Sequence, residues 1–308
     1  MPKEVGGVPV MSTGEDALQS GRTLGLRLAD YLELTKPRVT TMVLVTATVG
    51  FYLGSTGPMD VKLLLETLLG IALTAGGSAA LNQYLEREPD GLMRRTGNRP
   101  LPAGRLRPVR ALWFGIAISL LGLLYLAVRV NLLSCLLALA VWGSYLFVYT
   151  PLKQRTSLCT LIGAFPGAGP PIIGWAASAH GLDLRAWTLF FILFLWQFPH
   201  FLAIAWMYRD DYQKAGFRML PQEDQHGFIT GQQILIYTIA LVPVSLLPSL
   251  FGMAGLPYLF GAIALGLLFL YFGLKVARSR TTADARKLLR ASVLYLPLLL
   301  ALMVAGKP

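Results

Sequence analysis

The chain has 308 residues, 55% hydrophobic and only 14% charged, with 27 Lys and Arg against 16 Asp and Glu. So little charge excludes an ordinary soluble domain, in which about a quarter of the residues are charged. Apolar runs long enough to cross a bilayer core of about 30 Å also exclude a β-barrel, whose strands are short and alternating.

The expected fold class is therefore an all-α polytopic membrane protein. Residues 1–30 are polar, lack a signal-peptide core and predict a flexible tail. An interfacial segment, DYLELTKPR, follows. Nine apolar runs then predict spans near 39–56, 63–86, 109–129, 131–149, 158–178, 187–208, 230–251, 257–275 and 288–305, making residues 31–308 a single transmembrane domain. With the N-terminus placed in the cytoplasm, 23 of the 27 Lys and Arg fall on that side; only Lys62, Arg129, Arg185 and Lys307 fall on the other. This bias predicts N-terminus in and C-terminus out, and it accounts for the net charge of +11 without nucleic acid as a partner. Cys135 and Cys159 lie in apolar runs and read as small apolar residues.

Outer loops are short and bland, whereas inner loops are long and polar, so function is expected at the cytoplasmic face. The stretch LNQYLEREPDGLMRRTGNRPLP, residues 81–102, places Asn82, Glu86 and Asp90 four residues apart, one oxygen column on a helix face. Pro89 predicts a kink or restart near Asp90. A charged helix end reaching solvent is the plainer alternative. A second acidic pair, Asp210 and Asp211, ends another span in a similar way, a weak internal echo four spans on. Two facing acid clusters would repel unless a cation lay between them, and hard oxygen ligands suit Mg²⁺ with substrate phosphates. Arg94, Arg95 and Arg99 follow the first acids. Lys153 and Arg155 occupy the next inner loop, and Arg209, Lys214 and Arg218 the third. Arginine forks match phosphate oxygens. The basic cluster of residues 275–290 reads instead as a topology signal that meets anionic lipid headgroups. Acids for a metal and bases for anionic oxygens, at the inner ends of apolar helices, point to a substrate with a polyphosphate head and a lipid tail. Loss of diphosphate from an allylic tail makes the reaction class prenyl transfer.

At this point the sequence resembles a known family. NQYLEREPDGLMRRTGNRPLPAGRL is similar to the first signature, N-x-x-x-[DE]-x-x-x-D, of the intramembrane aromatic prenyltransferase (UbiA-type) superfamily. Its RTGNRPLPAG part, together with TPLKQRTSLCTLIGAFPGAGPPIIGW and WQFPHFLAIAWMYRDDYQKAGFRMLP, resembles the haem O synthase branch, and the likeness runs over roughly residues 30 to 300. The resemblance implies nine helices around a central cavity capped by cytoplasmic loops, in a bacterial cytoplasmic membrane or its equivalent. It implies transfer of farnesyl from farnesyl diphosphate to the 2-vinyl group of haem b, with water addition, giving haem O. The same chemistry on a hydroxybenzoate or naphthoate quinone precursor is the nearest rival, and a transporter or lipid-head binder the rival of another class.

Carried over, the cofactor is Mg²⁺, held by Asn82, Glu86, Asp90 and Asp211. Arg94, Arg95, Arg99, Lys153, Arg155 and Lys214 would take the diphosphate. Asp90, Asp210, Asp211, Tyr208 and Tyr212 form the catalytic set. His200, beside Pro199, is read either as a haem-iron ligand or as an interhelical hydrogen bond. Partners implied are the two substrates and membrane lipids, with haem A synthase and terminal oxidase assembly factors as further candidates. Two departures stand out: Glu86 replaces the commoner Asp, and Tyr208 and Tyr212 occupy the outer positions of a second signature, D-x-x-x-D. GAFPGAGPPIIGW is expected to form an interrupted, closely packed helix.

Overall fold

The computed structural model describes residues 28–308, so the tail expected over residues 1–30 lies almost wholly outside the described residues. The described chain is helical from end to end, with α1 at Pro37–Gly54, α2 at Val61–Leu85, the short α3 at Arg87–Gly91 and α4 at Pro108–Arg129. Next come α5 at Leu132–Gly143, which runs through a π-helical stretch to Leu152, then α6 at Cys159–Gly167 and α7 at Gly169–Ala179. The remainder is α8 at Leu184–Met207, the short α9 at Arg209–Lys214, α10 at Phe228–Val244, α11 at Leu256–Ser279 and α12 at Thr282–Ala305.

Among the described residues, seven helices are long and apolar enough to cross a membrane: α2, α4, the α5 rod, α8, α10 with its extension to Leu250, α11 and α12. The other two expected spans are helical but differ in form. The first, α1, carries Arg38 and four threonines in 18 residues, which keeps it below the apolarity of the rest. The fifth is broken at Ala168 into α6 and α7, each short of a bilayer crossing. The interruption expected from GAFPGAGPPIIGW is thus present: α7 starts with Pro170 and Pro171, which suit a helix's first turn, where their missing N–H groups have no partner to lose.

Helix starts follow local chemistry. Asp60, Asn131, Asp183 and Thr281 each accept a backbone N–H from the first turn of α2, α5, α8 and α12. Large apolar side chains such as Leu124, Val128 and Leu132 stand exposed, a cost in water but compatible with hydrocarbon.

The packing falls into two linked groups. Helices α8, α10, α11 and α12 close a four-helix ring around buried Leu189, Ile234, Phe269 and Leu299. In the other group α2 lies along α4, and α1 lies along α7. That second contact is backbone on backbone: a Cβ at Gly50 would collide with the carbonyl of Pro171, and one at Gly174 with that of Ala47. The α6–α7 segment also packs on α8 and so ties the two groups together. Each long helix reverses the previous one, so the ends of α2 and α8 and the α11–α12 hairpin share one end of the molecule, where Arg280 lies 5.3 Å over the Phe228 ring at the start of α10. The charged loops gather there.

Candidate active site

Helix α2 stops one turn after Asn82. Glu86 leaves helical geometry at φ −96° and ψ 11°, and α3 starts at Arg87. Pro89 supplies the reason: in a continuous helix its ring would clash with the carbonyl four residues back, at Leu85. The break therefore falls at Glu86 rather than near Asp90, and Pro89 sits in the first turn of the new helix. The Asp90 N–H still donates to the Glu86 carbonyl at 2.8 Å, so the chain keeps turning. Asn82, Glu86 and Asp90 are all buried, at 0%, 6% and 1% exposure, which rules out a solvated helix end.

Each of the three oxygens meets a cation. Lys36 Nζ donates to Asn82 Oδ1 at 2.7 Å, Lys153 Nζ to Glu86 Oε1 at 2.7 Å and Arg99 Nη1 to Asp90 Oδ2 at 2.5 Å. Three separate segments thus converge on one column: the start of α1, the end of the α5 rod, and the loop after α3. Supporting bonds fix them. Asn82 Nδ2 donates to Thr150 Oγ1 at 3.2 Å, Gln83 Nε2 to the Leu34 carbonyl at 2.9 Å, and Thr96 Oγ1 to the Asp90 carbonyl at 2.8 Å. Lys153 also lies 4.6 Å over the Tyr149 ring, and its carbonyl accepts the Arg218 N–H at 2.7 Å, which joins the third loop to the second.

The cluster shifts its own titrations. Burial, and the Arg99 guanidinium nearby, push Lys36 down to about 7. Burial raises the Asp90 carboxyl against the pull of Arg99. Burial alone would lower Lys153, but the Glu86 carboxylate and the Tyr149 hydroxyl outweigh it and hold the ammonium well above the usual lysine range.

Lys36 was not among the residues singled out from the sequence, nor were Gln83 and Thr150. Its one signal is a cation placed directly before the proline that opens an apolar run, in TKPR. Lys36 also occupies the left-handed region, at φ 48°, a conformation few non-glycine residues adopt.

The remaining expected residues divide. Arg99 and Lys153 join the cluster. Arg95 reaches the other cap: Nη2 donates to Tyr212 Oη at 3.4 Å, and the guanidinium lies 5.6 Å over the Tyr208 ring. Beneath it Met93, Ala215 and Phe217 pack with Tyr212, so the loop after α3 and the α9 segment form one cap. Arg94, Arg155 and Lys214 are exposed, and their side chains make no ion pair or hydrogen bond among the described residues. Asp210 faces outward with its side chain 85% exposed, 3.7 Å from Arg209. Asp211 is half-buried and its side chain has no bonded partner among the described residues. His200 is engaged elsewhere: Nδ1 shares a hydrogen bond of 2.8 Å with Ser292 Oγ on α12, and its ring stacks on Trp196 at 4.8 Å. The interhelical bond is present, and it leaves Nε2 without a hydrogen-bond partner among the described residues.

Among the described residues no three carboxylate, histidine or cysteine groups converge as a metal cage. The donors that do gather, one amide oxygen and two carboxylates, suit a hard divalent cation that completes its shell with water and phosphate oxygens. Lys153 and Arg99 offset the charge of the two acids, while Lys36 meets the neutral amide of Asn82.

A bundle of lipid-length helices with buried acids and bases under a loop cap at one end defines an intramembrane protein with an ionic site facing an apolar interior. The chain belongs to the UbiA prenyltransferase family, whose model matches residues 43–299. It is 51% identical over 290 residues to the protoheme IX farnesyltransferase of Solibacter usitatus (strain Ellin6076), covering 91% of this chain and 99% of that one. It is 44% identical to the protoheme IX farnesyltransferase of Koribacter versatilis (strain Ellin345), covering 91% and 94%. Among solved structures, one from work on digeranylgeranylglyceryl phosphate synthase in membranes shares the fold with a TM-score of 0.77 at 18% identity, over 91% of this chain and 98% of that one. A UbiA homolog from Archaeoglobus fulgidus bound to GPP and Mg²⁺ does so with a TM-score of 0.65 at 18% identity, over 89% and 99%.

Proposed function

We propose that the protein transfers the farnesyl group of farnesyl diphosphate to the 2-vinyl group of haem b, with addition of water, giving haem O and diphosphate. Family membership and the near-full-length likeness to protoheme IX farnesyltransferases support the reaction. The observation that carries the site is the buried column Asn82, Glu86 and Asp90, each oxygen facing its own cation.

In the reaction the C1–O bond of the farnesyl ester breaks and its electron pair leaves with diphosphate. The terminal vinyl carbon of haem b forms the new C–C bond to farnesyl C1. Water adds at the other vinyl carbon and loses a proton, leaving a hydroxyl. The balance is one haem b, one farnesyl diphosphate and one water for one haem O and one diphosphate. Lys36, Lys153 and Arg99 exchange carboxamide and carboxylate partners for phosphate oxygens as the headgroup enters. The positive charge of Lys153 and Arg99, joined by Lys36 once the phosphate favours its ammonium form, opposes the charge growing on the leaving oxygen. Arg94, Arg155 and Lys214, exposed around the cap, attract the headgroup from solvent. Asn82, Glu86 and Asp90 would hold Mg²⁺, with Asp211 on the facing cap as a further carboxylate; the bound ion supplies Lewis-acid neutralisation of the diphosphate. The Arg95 bridge to Tyr208 and Tyr212 keeps the cap shut over the site and keeps bulk water out. Asp210, directed outward, has no part in this scheme.

The same reading places the N-terminus and the cap in the cytoplasm of a bacterium, in its inner membrane. Reporter fusions at residue 308 and in the loop after α3 would test it: only the first should report from outside. For the reaction, membranes containing the protein are supplied with haem b, farnesyl diphosphate and Mg²⁺, and the pigment is weighed by mass spectrometry. A farnesyl-plus-water increment on haem is expected. Absence of that product, with a prenylated hydroxybenzoate formed in parallel tests, would overturn the assignment.

A further inference from the structure

Away from the cap, a groove of about 510 Å³ opens between α11 and α12 on the outer face of the four-helix ring. Its walls include Leu265, Phe272, Leu294 and Leu298, and its basic end is lined by Lys287 and Arg290. Leu294 is 62% and Leu298 49% exposed, so the walls open sideways, toward hydrocarbon in a membrane. From Lys287 to Leu298 the helix rises about 16 Å at about 1.5 Å per residue. That is close to half of a hydrocarbon core of about 30 Å, the depth of one leaflet.

The basic end is not equally satisfied. Lys287 and Lys275 both face Asp284, at 3.2 Å and 3.9 Å, and are partly neutralised by it. Arg290 is exposed and its side chain makes no ion pair or hydrogen bond among the described residues. A planar guanidinium with free donors, at headgroup level above an apolar groove one leaflet deep, matches a phosphodiester on an acyl chain.

We infer that the α11–α12 groove is a binding site for an anionic phospholipid of the leaflet on the cap side. Arg290, helped by Lys287, holds its phosphate, and one acyl chain lies between Phe272 and Leu294. The lipid fills a recess on the ring that carries α8, and it is separate from the acids and bases under the cap. The inference rests on charge complementarity and depth, independently of the reaction proposed above.

The test uses the whole protein in nanodiscs of equal phosphatidylglycerol and phosphatidylcholine, released for native mass spectrometry. Phosphatidylglycerol is expected to be retained in preference. Arg290→Gln should lower that retention by about fivefold, the contribution of one basic group near a membrane surface. Arg290→Lys should restore most of it. Arg278→Gln, which removes the same charge from the same hairpin but outside the groove, should leave it unchanged. Leu294→Trp, which fills the groove without altering charge, should lower it as well. Equal retention of both lipids would overturn the inference. Equal loss in Arg278→Gln and Arg290→Gln would also do so, because the attraction would then be diffuse. Unchanged retention in Leu294→Trp, or displacement by inorganic phosphate, would leave an anion site without an acyl groove and overturn it too.

Discussion

Asp90 and Lys36 show how differently two residues of one cluster can be read. Asp90 was legible because four-residue spacing on a helix puts it in line with Asn82 and Glu86. Its burial at 1% exposure beside Arg99 raises the cost of change. Asp90→Ala removes one partner of a largely buried ion pair and one oxygen of the proposed metal site. Haem O formation should fall by at least about a hundredfold, the scale of losing one electrostatic contact to a developing charge. Near-normal turnover in correctly inserted protein would take Asp90 out of the site. Lys36 was not legible, because its partner Asn82 lies 46 residues away and no periodicity links them. Lys36→Asn keeps a residue type that tolerates the left-handed backbone while removing the ammonium. It should raise the KM for farnesyl diphosphate by about tenfold or more, by loss of one charge-assisted contact, with a smaller fall in kcat. A change confined to thermal stability would make Lys36 only a clasp for α1.

The breaks that end α2 and α8 are the features that matter at the scale of elements. Each long helix stops at one non-helical residue, Glu86 or Tyr208, and continues as a short helix, α3 or α9. The sequence echo between the two regions thus has a structural counterpart. Pro89 forces the first break, so Pro89→Ala allows α2 to run on and moves Asp90 away from the position in which it meets Arg99. Turnover should drop by about tenfold or more, as expected when a catalytic group is misplaced by an ångström or so, while the melting temperature holds or rises because a helical hydrogen bond is gained. A normal rate with a higher melting temperature would show that the break is incidental. The two caps meet through Arg95. Arg95→Ala should speed proteolysis in the loop over residues 92–107, read as the rate of nicking in detergent, and farnesyl diphosphate should slow it again. Nicking at the wild-type rate would mean that the apolar contacts of Met93 and Phe217 close the cap unaided.

Across the whole molecule the constraint is close packing of helices. The α1–α7 contact leaves no room for a side chain at Gly50, where the obstacle is backbone rather than a movable side-chain end. Gly50→Ala should destabilise by about 1–3 kcal/mol through overpacking, measured as a lowered melting temperature in detergent. An unchanged melting temperature would mean that α1 can slide. This contact matters for function because α1 begins at Lys36, so the fit along α7 sets where that ammonium sits. The α8–α12 contact works in the same way through His200 and Ser292, whose hydrogen bond fixes the orientation of the imidazole at the helix seam.

Hydropathy and local spacing alone determined that the protein is an all-α membrane chain, that its charge gathers at one end, and that Asn82, Glu86 and Asp90 share a face. These properties depend on residues within a turn or a span of one another, and such order is written directly in sequence. Tertiary structure decided which cation meets which oxygen, that Lys36 joins them, and that Asp210 turns outward. Those outcomes depend on contacts between segments far apart in the chain, whose partners are selected by packing and by the cost of burying an unpaired charge.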